Sequence, residues 1–205
     1  MMLKLKKINT IIKIEKTNIL IPLIIVVVFF ILISLPAVYV SYNLFSNISD
    51  QKALKIIRVM GIATVILIAI FGPIGWIITM GIYYHIIKLF SKIPGLEFRK
   101  FLYIAGYLFP VKALIILTLT IVFFKVYGFS GFQPGMTAKE IESFFIAWNT
   151  AKSRIEIFSS YVYLSLLALS ISTAYGESNK KTLLIFLIPY TTWIVFTALL
   201  RSLVS

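Results

Sequence analysis

Few side chains in this sequence could carry chemistry. There is one histidine, there are seven carboxylates, and there is no cysteine. Without cysteine, disulfides, thiol catalysis and cysteine metal sites are excluded. The carboxylates are scattered along the chain, so their spacing predicts no metal cluster, and no metal or cofactor is expected. Serine and threonine are plentiful, but an intramembrane hydrolase needs a buried nucleophile beside a base. His85 falls at the end of an apolar run, and Glu140, Glu142, Glu156 and Glu177 fall at or beyond the ends of such runs. The hydroxyls are therefore read as partners for backbone groups and His85 as an interfacial aromatic. The chain is expected not to be an enzyme. A cation-coupled transporter would carry embedded acids, and the sequence presents none.

What remains is cationic. The formal net charge is +13, which in a soluble protein would point to nucleic acid. Here 60% of residues are hydrophobic and mean hydropathy is +0.99, against roughly 45–50% apolar residues in soluble domains. The chain is a polytopic membrane protein. Lys and Arg at span ends anchor helices and meet anionic headgroups, so membrane lipids are the expected partners and nucleic acid is not. A protein partner or a second copy of the chain is also compatible with this pattern. Lys88, Lys92, Arg99 and Lys100 surround the turn dipeptide Pro94-Gly95, with Glu97 the acid among them. They form the leading candidate for lipid or anion contact. Lys112 has two readings. If Pro110 opens the third span, Lys112 snorkels to an interface as an anchor. If the helix runs unbroken from Phe101, Lys112 lies near mid-membrane and becomes a functional candidate.

The elements that position these cations follow from hydropathy. Residues 1–18 form a basic head with an amphipathic pattern suited to the membrane surface. Residues 19–205 form one transmembrane domain, with spans at about 19–40, 59–84, 111–126, 157–174 and 182–200. The first span is too long for a signal-peptide core of roughly 7–15 residues, and Pro22 sits in its first turn, where proline is tolerated. Pro36 is expected to end it early. The predicted architecture is all-α, a compact bundle of five transmembrane helices with interfacial helices. Phe101–Phe109 and the amphipathic stretch 140–158 are the predicted interfacial segments. The second of these opens on the capping box Thr137-Ala138-Lys139-Glu140.

Within the spans, Gly72-Pro73-Ile74-Gly75, Pro110 and Pro189 are predicted bends or breaks, since proline removes a donor and clashes with the preceding turn. Ala69, Gly72, Gly75 and Thr79 share one face, as do Ser165, Ala168 and Ser172, and both stripes are read as packing seams. A substrate-lining break at Gly72-Pro73 is the competing reading. Asn47-Ile48-Ser49 matches a glycosylation sequon, a triplet common by chance. Lys and Arg are denser in the head, the 85–100 loop and Lys180-Lys181 than in the opposite segments. This predicts a cytoplasmic N-terminus and an external C-terminus.

The order of features resembles the Yip family, multi-pass membrane proteins named for interacting with Ypt/Rab-type GTPases. The elements that carry the resemblance are Trp76, the run from Tyr84 through His85 and Lys88 to Leu89, then Pro94-Gly95, Phe98-Arg99-Lys100, and Tyr107-Leu108-Phe109-Pro110. Trp148 and Lys180-Lys181 ahead of the last span also match. The resemblance covers roughly Pro73 to the C-terminus. It implies a non-enzymatic, multi-pass protein that organises membrane or recruits partners, and the short basic head implies a prokaryotic-type member of the cell membrane. A small transporter or lipid-handling protein, using the proline sites of the second and third spans, is the alternative.

Overall fold

The computed structural model describes residues 18–45, 51–91, 93, 95–127 and 138–204. Five α-helices account for nearly all of them: α1 Leu20–Phe45, α2 Gln51–Ser91, α3 Phe98–Tyr127, α4 Ala138–Tyr175 and α5 Asn179–Val204. No strand occurs among the described residues. The basic head up to residue 17, the Asn47-Ile48-Ser49 sequon, Lys92, Pro94 and Thr137 of the capping box lie outside the described residues.

Four segments are long and apolar enough to cross a bilayer: Val59–Ser91, Phe98–Val126, Glu142–Tyr175 and Asn179–Leu200. In α1 the stretch Leu20–Pro36 is apolar but shorter. The chain is an all-α integral membrane protein. Its outward side chains are aliphatic and aromatic, as on α2 (Ile62, Ile66, Phe71) and α5 (Ile188, Trp193, Phe196). The hydroxyls divide: Thr64, Thr150, Thr173 and Thr191 are exposed, each donating to a carbonyl of its own helix, and others lie inside. Ser34, Ser91, Ser159 and Thr182 are buried, and each bonds a carbonyl of the preceding helical turn. This matches the structural role expected of them, because in lipid a polar group must find its partner within the protein.

The helices continue where the sequence predicts ends. Pro36, Pro73, Pro110 and Pro189 all lie inside helices. α1 runs on past Pro36 to Phe45, and α3 runs unbroken from Phe98 through Pro110. The segment Phe101–Phe109 is thus part of α3 and not a separate lead-in. Likewise, the amphipathic stretch 140–158 and the fourth span form the single helix α4. Ending a helix in lipid would leave a whole turn of carbonyls and amides without partners, whereas one proline frees only one carbonyl. Pro110 frees that of Gly106. Next to it, the Tyr163 hydroxyl donates to the Ala105 carbonyl at 3.0 Å.

Contacts gather the chain into two units. The first comprises residues 18–22, 76–108 and 161–204. Its centre is the buried Tyr163, which accepts a hydrogen bond from Trp76 Nε1 at 3.2 Å while donating to Ala105. Tyr83 and Phe101 both stack on Phe186, with centroids at 5.6 and 6.3 Å. At the start of α1, Pro22 is seated on Gly106. A Cβ at Gly106 would lie 2.5 Å from Pro22 Cβ and 3.3 Å from its Cα and carbonyl oxygen.

The second unit comprises residues 23–75 and 109–160. Here Phe124 stacks on Trp148 at 4.8 Å and Phe123 meets the same indole at 5.3 Å. On the α1 side, the Phe30 ring lies over Gly72 and packs against Phe109 at 5.0 Å. A Cβ at Gly72 would come within 2.6 Å of that ring, whereas one at Gly75 would meet nothing within 4 Å. The predicted seam is therefore real at Gly72 and absent at Gly75. A step of three residues rotates about 60° short of a full turn, enough to swing Gly75 off the contact. Along α4, Ala168 and Ser172 are buried and Ser165 half-buried, as a packing stripe requires.

Gly72→Ala and Gly106→Ala are each expected to cost about 1–3 kcal/mol through overpacking against a fixed ring and a proline. Gly75→Ala gains helix propensity, up to about 1 kcal/mol. Unfolding midpoints of the three variants in mild detergent check the order.

Candidate functional site: a basic face at two turns

The first unit brings two turns together. One connects α2 to α3 and the other, at 176–178, connects α4 to α5. Gly95 and Gly176 take positive φ of 75° and 70°, backbone that glycine adopts without a Cβ clash. At the second turn Glu177 N–H donates to the Ser172 carbonyl at 3.0 Å, the wide bond of a Schellman cap. The Ser172 hydroxyl also bonds the Asn179 side chain across the turn. Thr182 N–H and hydroxyl both return to the Ser178 carbonyl, which starts α5. At the first turn Phe101 N–H donates to the Glu97 carbonyl at 3.0 Å and opens α3. Tyr175, the last residue of α4, lies within electrostatic reach of Lys100, Glu97 and Tyr84, which sets the two turns side by side.

Tyr84 is the platform of this face. It is buried, and its hydroxyl donates to the Leu96 carbonyl at 3.2 Å, tying the first turn to α2. Its ring packs on Phe98 and Phe101 at 5.2 and 5.9 Å, with the His85 imidazole edge-on at 5.5 Å. Lys88 Nζ lies 5.6 Å from the centre of the same ring, a cation–π distance. Around this platform Lys88, Arg99, Lys180 and Lys181 are exposed and Lys100 is half-exposed. Two of the cations have carboxylate partners: Lys100 with Glu97 at 3.1 Å and Lys181 with Glu177 at 3.8 Å. Such exposed pairs contribute about 0–1 kcal/mol and leave the charge available. Lys88, Arg99 and Lys180 have no carboxylate partner among the described residues. The face is a cationic surface held by a rigid aromatic base, suited to phosphate or carboxylate groups arriving from outside.

Of the residues singled out in the sequence, Lys88, Arg99 and Lys100 come together here, and Lys92 lies outside the described residues. Lys112 does not join them. It is the fifteenth residue of the 30-residue α3, partly buried in the second unit, with Glu156 of α4 the acid whose charge reaches it. Glu156 is itself mid-helix, in a helix of 38 residues, and not at a helix end as its sequence position suggests. Pro73 is buried and Pro110 and Pro189 are half-buried. The sequence names Tyr84 only as the start of a run that carries the family resemblance, with no role for its side chain, and does not single out Tyr163. Their signal is a tyrosine on an apolar helix, whose ring suits the interior and whose hydroxyl requires a partner there.

Compared with protein families, curated proteins and solved structures, the chain matches none.

Tyr84→Phe removes the tie to Leu96 and keeps the ring, at about 1 kcal/mol. Tyr84→Ala also removes the ring from its packed site, at about 3–5 kcal/mol. Thermal unfolding in detergent and the rate of proteolysis between Ser91 and Phe98 are expected to rank parent, Phe and Ala in that order.

Proposed function

We propose that the protein is a non-enzymatic, Yip-like integral membrane protein that organises membrane or recruits partners through the basic face. What carries the reading is the cluster of Lys88, Arg99, Lys100, Lys180 and Lys181 on two adjoining turns, exposed and only partly offset by Glu97 and Glu177. With the N-terminus in the cytoplasm and α1 crossing as well as the four longer segments, five crossings put this face in the cytoplasm and the C-terminus outside. Anionic lipid in that leaflet attracts each nearby Lys or Arg by about 1 kcal/mol. Tyr84 holds Lys88 and the first turn in place, so little ordering entropy opposes contact with a headgroup or an acidic protein segment. The Yip resemblance supports the same reading through Trp76, His85, Gly95 and the Tyr107–Pro110 run, which fall in and around this unit.

The test is capture from native membrane followed by lipid analysis of the purified protein. Replacing Lys88, Lys92, Arg99 and Lys100 together by Gln is expected to lower affinity for anionic lipid, or for the captured partner, by on the order of a thousandfold. Lys112→Met is expected to leave both unchanged. Equal retention by parent and the fourfold variant overturns the reading.

One observation favours a second reading, a small transporter or lipid-handling protein. α3 is unbroken, so Lys112 sits about 20 Å from either end of its helix, within electrostatic reach of Glu156. An ionisable residue at that depth marks a pathway or ligand site in many membrane proteins. On this reading Lys112→Met abolishes solute or lipid flux in reconstituted vesicles. Flux that survives the substitution, or a parent that shows none, removes it.

A further inference from the structure

The second unit holds a feature that the basic face leaves unused. A groove of about 470 Å³ runs between the C-terminal half of α3 and the N-terminal half of α4. Leu119, Val122 and Val126 line it from α3, and Ala151, Ile155 and Arg154 from α4. Phe123 also faces it and is in ring contact with Trp148 at 5.3 Å, which puts an indole beside the groove.

The lining is hydrocarbon with one cation. Arg154 is exposed and has no carboxylate partner among the described residues. Its neighbours one turn away on α4 are Thr150, Ala151, Ile157 and Phe158, and none is acidic. The Thr150 hydroxyl, also in the lining, donates to the Ile146 carbonyl at 2.9 Å. A guanidinium on an apolar, membrane-crossing helix is costly without an anion. Its planar fork matches phosphate oxygens in pairs. Helical side chains lean toward the N-terminus, so Arg154 reaches along the groove toward Thr150 and Ala147. The volume lies within the roughly 300–1,000 Å³ of small-molecule sites. It accommodates a chain segment with its headgroup and is too small for a helix about 10 Å across.

We infer that this groove binds a single anionic phospholipid, with its phosphate on the Arg154 guanidinium and an acyl chain running inward from there past Leu119 and Ile155. The site is separate from the basic face, and its failure would leave the proposed function standing.

Trp148 reports occupancy. In a Trp193→Phe background the remaining indole, Trp76, is buried, so chain-brominated lipid reaches Trp148 most directly. The full chain is reconstituted in bilayers of unlabelled phosphatidylcholine, to which brominated phosphatidylglycerol, brominated phosphatidylcholine or a brominated fatty acid is added. Phosphatidylglycerol is expected to quench at about tenfold lower mole fraction than phosphatidylcholine, whose choline ammonium neutralises the phosphate charge that the guanidinium would otherwise pair with. Arg154→Gln abolishes that preference, Arg154→Lys retains part of it, and Lys152→Gln, an exposed cation on the same helix, leaves it intact. The fourfold basic-face variant also leaves it intact. Equal quenching by the two phospholipids in the parent overturns the inference. So does an equal loss in the Lys152→Gln variant, which means diffuse attraction, or fatty acid acting as well as phosphatidylglycerol. Variants are compared only where helical circular dichroism equals that of the parent, and Ala151→Leu, which fills the groove, provides a second, charge-neutral route to lost quenching.

Discussion

One hydroxyl joins three helices. Tyr163 of α4 receives the Trp76 N–H of α2 and gives its own proton to the Ala105 carbonyl of α3, all in a buried setting. Lipid supplies no hydrogen bonds, and apolar side chains gain little from exchanging lipid contacts for each other. Specific polar links and close packing must then decide which helices meet. Tyr163 provides the link, and the glycine at 106, seated under Pro22, provides the close approach in the same unit. The basic face stands on this arrangement, since α2, α3 and α4 all lead directly into its turns.

The existence and approximate order of the helices were legible in the sequence because runs of Ile, Leu, Val and Phe this long have one stable solution in a bilayer. Helix ends were harder. Pro36 and Pro110 read as stops, yet α1 and α3 pass through them. Proline's rule is drawn from water, where a frayed end is solvated; in lipid the balance tips toward continuing. The join at residue 156 misled for a related reason. Hydropathy changes there, but nothing in Arg154-Ile155-Glu156-Ile157 breaks a helix, so α4 is continuous.

The cations were legible as a group and less so as individuals. Lys88, Arg99 and Lys100 could be placed near one turn from spacing alone, whereas the Lys180-Lys181 turn is brought near only by the tertiary fold, which sets Tyr175 within electrostatic reach of Lys100, Glu97 and Tyr84. Lys112 hinged on whether α3 was broken, which sequence left as two readings. Glycines show the same limit. Gly72 and Gly75 fall on one broad face, about 60° apart, and the position of the Phe30 ring shows which edge of that face must stay small.

The turn at 176–178 has a consequence for how the chain enters its membrane. Three residues span at most about 10 Å, a third of the hydrocarbon thickness of about 30 Å. α4 and α5 therefore cannot insert independently or face the same way. They must go in as a hairpin, and any error in the direction of one is imposed on the other. Lys180 and Lys181, at the start of α5, resist transfer across the bilayer. Biogenesis thus has only two outcomes for this pair, correct or wholly inverted, and the two lysines bias the choice.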